Sequence, residues 1–340
     1  MKICLLTRRF ALGSGGIGRV SIELRDKLGA LGHKVYPIST TKESLPAYFK
    51  YAFLDNAINI PSGQDIYHAV TPMESIWIPK DKGVATILDI IPIIHPEMQG
   101  ARMGGDRLKY AVGKTCFTIG CKMAARCQRI VCISEQVRQD FIEHFDVDER
   151  KVSVVRLGIR EDLRPRGEES RKRFRIGYLG QLDRRKRVDL LVREFVGSDF
   201  DGELVLGGKG VDEPLLRKLS NGDNRVKFAG YIPDDKLNEF YNSLDVMVFP
   251  SMIEGYGLPP VEAMACKIPV VVLADAIIPW EVKSRCIVVE EFGTLFNREE
   301  YLIGLMEYID YEGNYQFAKE HNWDKCVQEY IKLYEEVVGL

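Results

Sequence analysis

MKICLLTRRFALGSGGIGRVSIELRDKLGALGHKVYPIST, residues 1–40, is the stretch that decides the fold. Lys2 to Thr7 form a short apolar run, which breaks at Gly13-Ser14-Gly15-Gly16-Ile17-Gly18. From Val20 to Leu31 apolar residues return at helical spacing, so the pattern reads strand, glycine loop, helix. Gly32-His33 closes that helix, and Lys34 to Ser39 reads as the next strand. The result is a βαβ unit, which calls for a parallel sheet.

The same rhythm runs outward. Strands are expected at Ile66 to Val70, Val84 to Ile87, Arg129 to Ile133 and Val152 to Val155, with Ser134 placed to cap a helix through Phe145. The pattern lapses over the charged stretch Gly158 to Ser170, which contains Pro165 and Gly167 and reads as an interdomain linker. It then starts afresh. Phe174 to Leu179 reads as a strand, Gly180 as its turn, Val188 to Phe195 as a helix and Gly202 to Leu206 as a strand. Further strands at Val226 to Phe228, Val246 to Phe249 and Val270 to Leu273 alternate with helices near Asp234 to Ser243 and Pro260 to Ala265. Asn322 to Val338 carries apolar residues at helical intervals.

The fold class expected is therefore α/β, two Rossmann-like domains with parallel sheets facing an interdomain cleft. Residues 1–165 form the first domain, 166–320 the second, and 321–340 a closing helix that packs back on the first. A chain of 340 residues is long enough for two such cores. In open α/β sheets a ligand sits beyond the carboxyl ends of the strands, where the turns Gly13 to Gly18 and Gly180 to Arg187 fall.

Composition narrows the class. With 46% hydrophobic and 28% charged residues and a formal net charge of −2, the chain reads as a globular protein and not as a nucleic-acid binder. Its eight cysteines are scattered singly with no C-x-x-C pair, and read as reduced core thiols. No run approaches the length of a membrane span, and the N-terminus is too short in apolar residues for a signal peptide. A cytoplasmic protein is expected.

The sharpest chemical feature is Phe249-Pro250-Ser251-Met252-Ile253-Glu254-Gly255-Tyr256-Gly257-Leu258-Pro259-Pro260-Val261-Glu262-Ala263-Met264-Ala265. Glu254 falls in a glycine-rich loop just after a strand, and Glu262 in the first turn of a helix that Pro259 and Pro260 can start. Carboxylates placed there can accept hydrogen bonds from sugar and ribose hydroxyls. The backbone N–H groups of Gly255, Tyr256, Gly257 and Leu258 suit a phosphate. On spacing alone, Glu262 could equally just favour the helix N-terminus, and Glu254 be a solvated loop residue.

This stretch resembles the Glu-x7-Glu signature of the retaining family-4 glycosyltransferases, the glycosyl transferases group 1, which have the GT-B fold. The likeness extends through Gly230-Tyr231-Ile232-Pro233, Asp245 to Ser251, Cys266 to Val271 and Pro279-Trp280-Glu281-Val282. It implies that Glu254 contacts the donor sugar and Glu262 the ribose. The segment Gly177 to Lys186 resembles the family's donor-phosphate site. Lys186 fits that pattern, whereas Gln181 stands where an arginine is usual; Arg184 or Arg185 could supply the missing charge for a diphosphate leaving group.

The resemblance carries Gly15 and Gly16 over to the loop that approaches the donor diphosphate. Gly13, Gly15 and Gly18 also satisfy a dinucleotide spacing, but Ser39, Thr40 and Thr41 stand where that motif needs an acid. Thr86 to Glu97 resembles the family's segment near the reacting sugar. Leu88 replaces the usual histidine there, and Asp89 is the candidate polar group.

The function implied is transfer of a hexose, mannose or glucose, from a nucleoside-diphosphate sugar to a glycan or lipid-linked acceptor with retention of configuration. Glu254, Lys186 and Asp89 are the catalytic candidates, and neither a metal nor a cofactor is expected. The departures at Leu88 and Gln181 raise an alternative, a catalytically impaired nucleotide-sugar-binding protein of the same fold. Finally, residues 102–129 carry seven basic residues against the single acid Asp106, interleaved with apolar ones. Such a segment reads as a solvated helix or as a peripheral contact with the anionic inner face of a membrane.

Overall fold

A computed structural model of the chain describes residues 1–7, 16–39, 60–96, 107–167, 173–296 and 299–339. The chain divides into two compact units, Met1–Gly158 with Asn322–Leu340, and Ile159–His321.

The first unit is built on strands β1 (Lys2–Leu6), β2 (Lys34–Ile38), β3 (Ile66–Ala69), β4 (Gly83–Ile87), β5 (Arg129–Cys132) and β6 (Val152–Val154). They form one parallel sheet in the order β2-β1-β3-β4-β5-β6, with Lys2 opposite Lys34 and Ile3 opposite Ile66. Ile3 to Leu6 and all of β3 and β4 are buried, as expected of central parallel strands covered by helices on both faces. The helix Gly16–Ala30 buries Val20, Leu24 and Leu28. Ser134 caps the helix Glu135–Phe145 by accepting from the Val137 N–H at 3.2 Å.

The last helix, Trp323–Val338, belongs to this first unit. Its inner face buries Trp323, Tyr330 and Tyr334, and a buried polar network holds it to the sheet. His68 of β3 bonds the Tyr334 hydroxyl through Nδ1 at 2.7 Å and the Thr86 hydroxyl through Nε2 at 2.8 Å. Thr86 also bonds Tyr330 at 2.9 Å. Burial pushes the His68 imidazole down to about 3, so it stays neutral and serves both neighbours.

The second unit repeats the plan with β7 (Phe174–Leu179), β8 (Gly202–Gly207), β9 (Val226–Gly230), β10 (Val246–Val248), β11 (Val270–Leu273) and β12 (Ile287–Val289). Its sheet is parallel in the order β12-β11-β10-β7-β8-β9. From β7 the chain builds outward through β8 and β9; from β10 it builds the other way, through β11 and β12. The order therefore reverses between β7 and β10, and such a switch point opens a crevice at the carboxyl ends of the two strands.

The division at Gly158 falls earlier than the charged stretch suggested, because residues 159–167 are tied to the second unit. Leu163 is fully buried, and the Arg164 N–H donates to Asn238 Oδ1 at 3.0 Å on the helix Leu237–Asn242. The Ile159 N–H donates to the His321 carbonyl at 2.8 Å, so the two ends of this unit are bonded to each other.

Candidate active site

The segments that leave β7 and β10 meet at the switch point. Beyond β7, the Gly180 N–H donates to Gly207 and the Leu182 N–H to Lys209, so the β7–β8 ladder continues past the sheet edge. Gly208 is required for this close approach. Its φ is +123°, and a Cβ there would stand 1.8 Å from the Gly180 carbonyl oxygen. Tyr178 adds a hydrogen bond from its hydroxyl to the Gln181 carbonyl at 2.7 Å. The turn then delivers a single helical turn, Arg184–Lys186, into the crevice.

Beyond β10, Met252 donates to the Arg185 carbonyl and Glu254 to that of Ile277, while Ile277 donates to that of Met252. Residues 252–254 are thus held between the β7 turn and the segment after β11. Glu254 becomes the focus of three side chains. Lys186 Nζ and Ser251 Oγ both donate to its Oε1, and Arg185 Nη1 lies 3.2 Å from its Oε2. Arg185 also donates to the Ile253 carbonyl at 2.6 Å, and Lys186 sits 5.2 Å from the Phe249 ring centroid.

Burial alone would raise the Glu254 carboxyl, but Lys186 and Arg185 hold it down at about 2. Burial pushes Lys186 down and the nearby Arg185 charge adds to this, while the Glu254 carboxylate and, more weakly, Asp183 oppose it. One carboxylate is thus touched by two cations. A cation surplus at a strand-end turn suits a doubly charged phosphate group.

Of the two arginines the sequence left open, Arg185 is the one beside Glu254, and Arg184 is exposed. Glu262 is buried on the helix Leu258–Ala265 and accepts from the Tyr241 hydroxyl at 2.7 Å. Gly257 precedes that helix with φ +100°, a left-handed turn that glycine adopts without strain. Pro259 and Pro260 have no N–H, so the donors at this helix start are those of the loop and Leu258. Asp89 lies in the first unit, just past β4, where its Oδ1 accepts from the Ile91 N–H at 3.2 Å. Gly16 begins the helix after β1, and Gly15 lies outside the described residues.

Sequence reasoning missed Arg187 and its partners. Arg187, in the left-handed region at φ +49°, donates to the carbonyls of Pro250 and Ser251 at 2.9 and 3.3 Å and forks onto the Asp275 carboxylate at 2.7 and 2.9 Å. It braces the approach to Glu254. Four consecutive basic residues, 184–187, gave no signal as to which would be buried. Among the described residues no group of His, Cys, Asp and Glu is arranged to hold a metal, and no helix is long and apolar enough to cross a membrane.

Residues 173–291, which contain the Arg185, Lys186 and Glu254 cluster and Glu262, match the family described as Glycosyl transferases group 1. Over its full length the chain is similar to the O-antigen chain mannosyltransferase B of Escherichia coli, at 22% identity over 98% of this chain and 100% of that one. It shares the fold of the sucrose-phosphate synthase of Thermosynechococcus elongatus, with a TM-score of 0.78 and 17% identity over 100% and 99% of the two chains. The fold is also that of the Anabaena protein Alr3699/HepE, solved in complex with UDP, with a TM-score of 0.69 and 16% identity over 99% and 100%. Two parallel six-stranded sheets, the family match over the second and a likeness spanning both show that the chain belongs to the glycosyl transferases group 1, the retaining family-4 class, and is a glycosyltransferase of GT-B fold.

Proposed function

We propose that the protein transfers a hexose, mannose or glucose, from a nucleoside-diphosphate sugar held by the second unit to a glycan or lipid-linked acceptor, with retention of configuration. The observation that carries this reading is the convergence of Lys186 and Arg185 on the single carboxylate of Glu254 at the β7–β10 switch point. As the bond from the sugar to the diphosphate breaks, negative charge grows on the departing phosphate oxygen, and two fixed cations stabilise it more than they stabilise the intact donor. The acceptor hydroxyl attacks the face that the diphosphate leaves and passes its proton to a phosphate oxygen. No protein nucleophile is then needed. Glu254 orients the two cations and offers its oxygens to sugar hydroxyls, Glu262 serves the ribose, and Asp89 is the polar candidate of the first unit. Donor chemistry of this kind fits the UDP complex of the Anabaena neighbour, and mannose fits the name of the Escherichia coli relative.

The outward face of the helix Arg107–Ala124 supports a lipid-linked acceptor. Val112 and Ile119 are 41% and 40% exposed on it, beside exposed Lys122 and, just beyond the helix end, Arg126. Exposed apolar residues beside lysine and arginine suit contact with anionic lipid.

A calorimetric and thermal-shift screen of the protein against UDP, GDP, ADP and their sugar conjugates tests the reading, with Lys186→Ala and Glu262→Ala alongside. A nucleotide at 100 times its Kd should stabilise the protein by about 2.7 kcal/mol. One nucleotide should win and both variants should lose it. Binding that survives loss of Lys186 would remove the proposed site. Turnover with the winning donor, and its increase on anionic vesicles carrying the acceptor lipid, would separate an active transferase from a nucleotide-sugar-binding protein that has lost catalysis.

A further inference from the structure

Tyr256 stands two residues beyond Glu254. It is 2% exposed, and its hydroxyl is hydrogen-bonded to Nε2 of His321, which is 3% exposed. The two rings lie 5.4 Å apart, and the ring of Phe317 packs edge-on against His321 at 4.7 Å. His321 is the last residue of the second unit. Its carbonyl accepts from the N–H of Ile159, the first residue of that unit. One side chain of the glycine loop is therefore bonded to the residue at which the chain leaves the second unit, which is itself bonded to the residue at which it enters.

The bond has a direction. His321 Nδ1 lies 2.8 Å from the Phe317 carbonyl, which can only accept, so Nδ1 carries the proton and donates. Nε2 is then the acceptor and the Tyr256 hydroxyl the donor. A phenylalanine at 256 would fill the same volume. The hydroxyl adds this directional link, in a place where an unpaired polar group would be costly. Gly255 and Gly257 on either side have no side chains to hold the loop, so Tyr256 is its side-chain anchor.

We propose that Tyr256 and His321 are positioning residues of the donor loop. They join Gly255–Gly257 to the paired crossover at Ile159 and His321, so that a diphosphate settled on the loop also orders the crossover. This rests on the donor-site reading given above. Ordering at one end of a hydrogen-bonded path restricts the other when both share one rigid element, and a buried ring bonded at both nitrogens is such an element.

Hydrogen exchange on the full chain, with and without saturating UDP, GDP or ADP, tests it in the wild type and in His321→Gln, His321→Asn and Tyr256→Phe. In the wild type, the bound nucleotide should slow exchange of residues 252–262 and also of 156–163 and 318–325. His321→Gln places a polar group where Nε2 was, so it should keep the second effect. His321→Asn retains a donor only at the Nδ1 position and Tyr256→Phe removes the hydroxyl. Both should keep slowed exchange at the loop but lose at least three-quarters of it at the crossover. A purely structural role would raise basal exchange in these variants without removing the nucleotide's effect. Crossover protection that persists in His321→Asn, or that is absent from a wild type whose loop is protected, overturns the proposal. If no nucleotide binds the wild type or protects its loop, the donor-site reading itself fails, and this inference fails with it.

Discussion

Replacing Glu254 by glutamine should expose how tightly the charge cluster is coupled. Arg185 and Glu254 are 3.2 Å apart, with side chains only 14% and 12% exposed. At an effective dielectric of about 20 that separation is worth about 5 kcal/mol of gross attraction, and the Lys186 contact is at least as strong. Most of this offsets the burial of the charges, so the net value of the cluster is far smaller than the sum. Removing one partner is another matter, because it leaves the others buried and unmatched. Glu254→Gln should therefore destabilise the second unit by about 3 kcal/mol, limited by release of the Lys186 proton. Lys186→Met should cost somewhat less, since Arg185 and Ser251 still hold the carboxylate. In the double variant only Arg185 is left unmatched, and its loss should fall short of the sum of the singles by about 2 kcal/mol. Urea unfolding followed by circular dichroism measures each value. Additivity within about 0.5 kcal/mol would refute the argument that these groups are coupled.

The same cluster has a pH signature of definite sign. With the Glu254 carboxyl held at about 2 against an ordinary value of 4.5, its stabilisation is fully present above pH 4.5 and is lost as pH falls through 2. The gap between wild type and Glu254→Gln should close over that window.

Two further outcomes follow from the packing. Gly208→Ala should destabilise the second unit by about 3 kcal/mol and abolish nucleotide binding, since the added Cβ would drive the Gly180 turn out of place; unchanged binding in calorimetry would show that the turn tolerates displacement. His68, buried neutral with its pKa lowered to about 3, should make the first unit lose stability as pH drops below the ordinary 6.5, with a slope of up to about 1.36 kcal/mol per pH unit. His68→Gln should flatten that slope in pH-dependent urea melts, and an unchanged slope would assign it to another group.

Local pattern made much of this protein legible from its sequence. Short apolar runs of three to six residues predicted the strands, because a parallel strand buried on both faces needs little else. Gly180 and Gly257 marked the turns, and the pattern set Glu254 in the loop after a strand and Glu262 on the helix that follows it. The choice among residues 184–187 was not legible, since all four are basic and only the path of the chain past β7 decides that Arg185 and Lys186 face Glu254 while Arg187 braces Pro250 and Asp275. Lys186 and Glu254 are 68 residues apart and meet only because β10 pairs with β7. The same holds for Tyr256 and His321, which are 65 residues apart. Sequence determined the elements, which depend on neighbours along the chain. Tertiary structure alone decided the partners, because strand order and burial bring together groups that no local spacing relates.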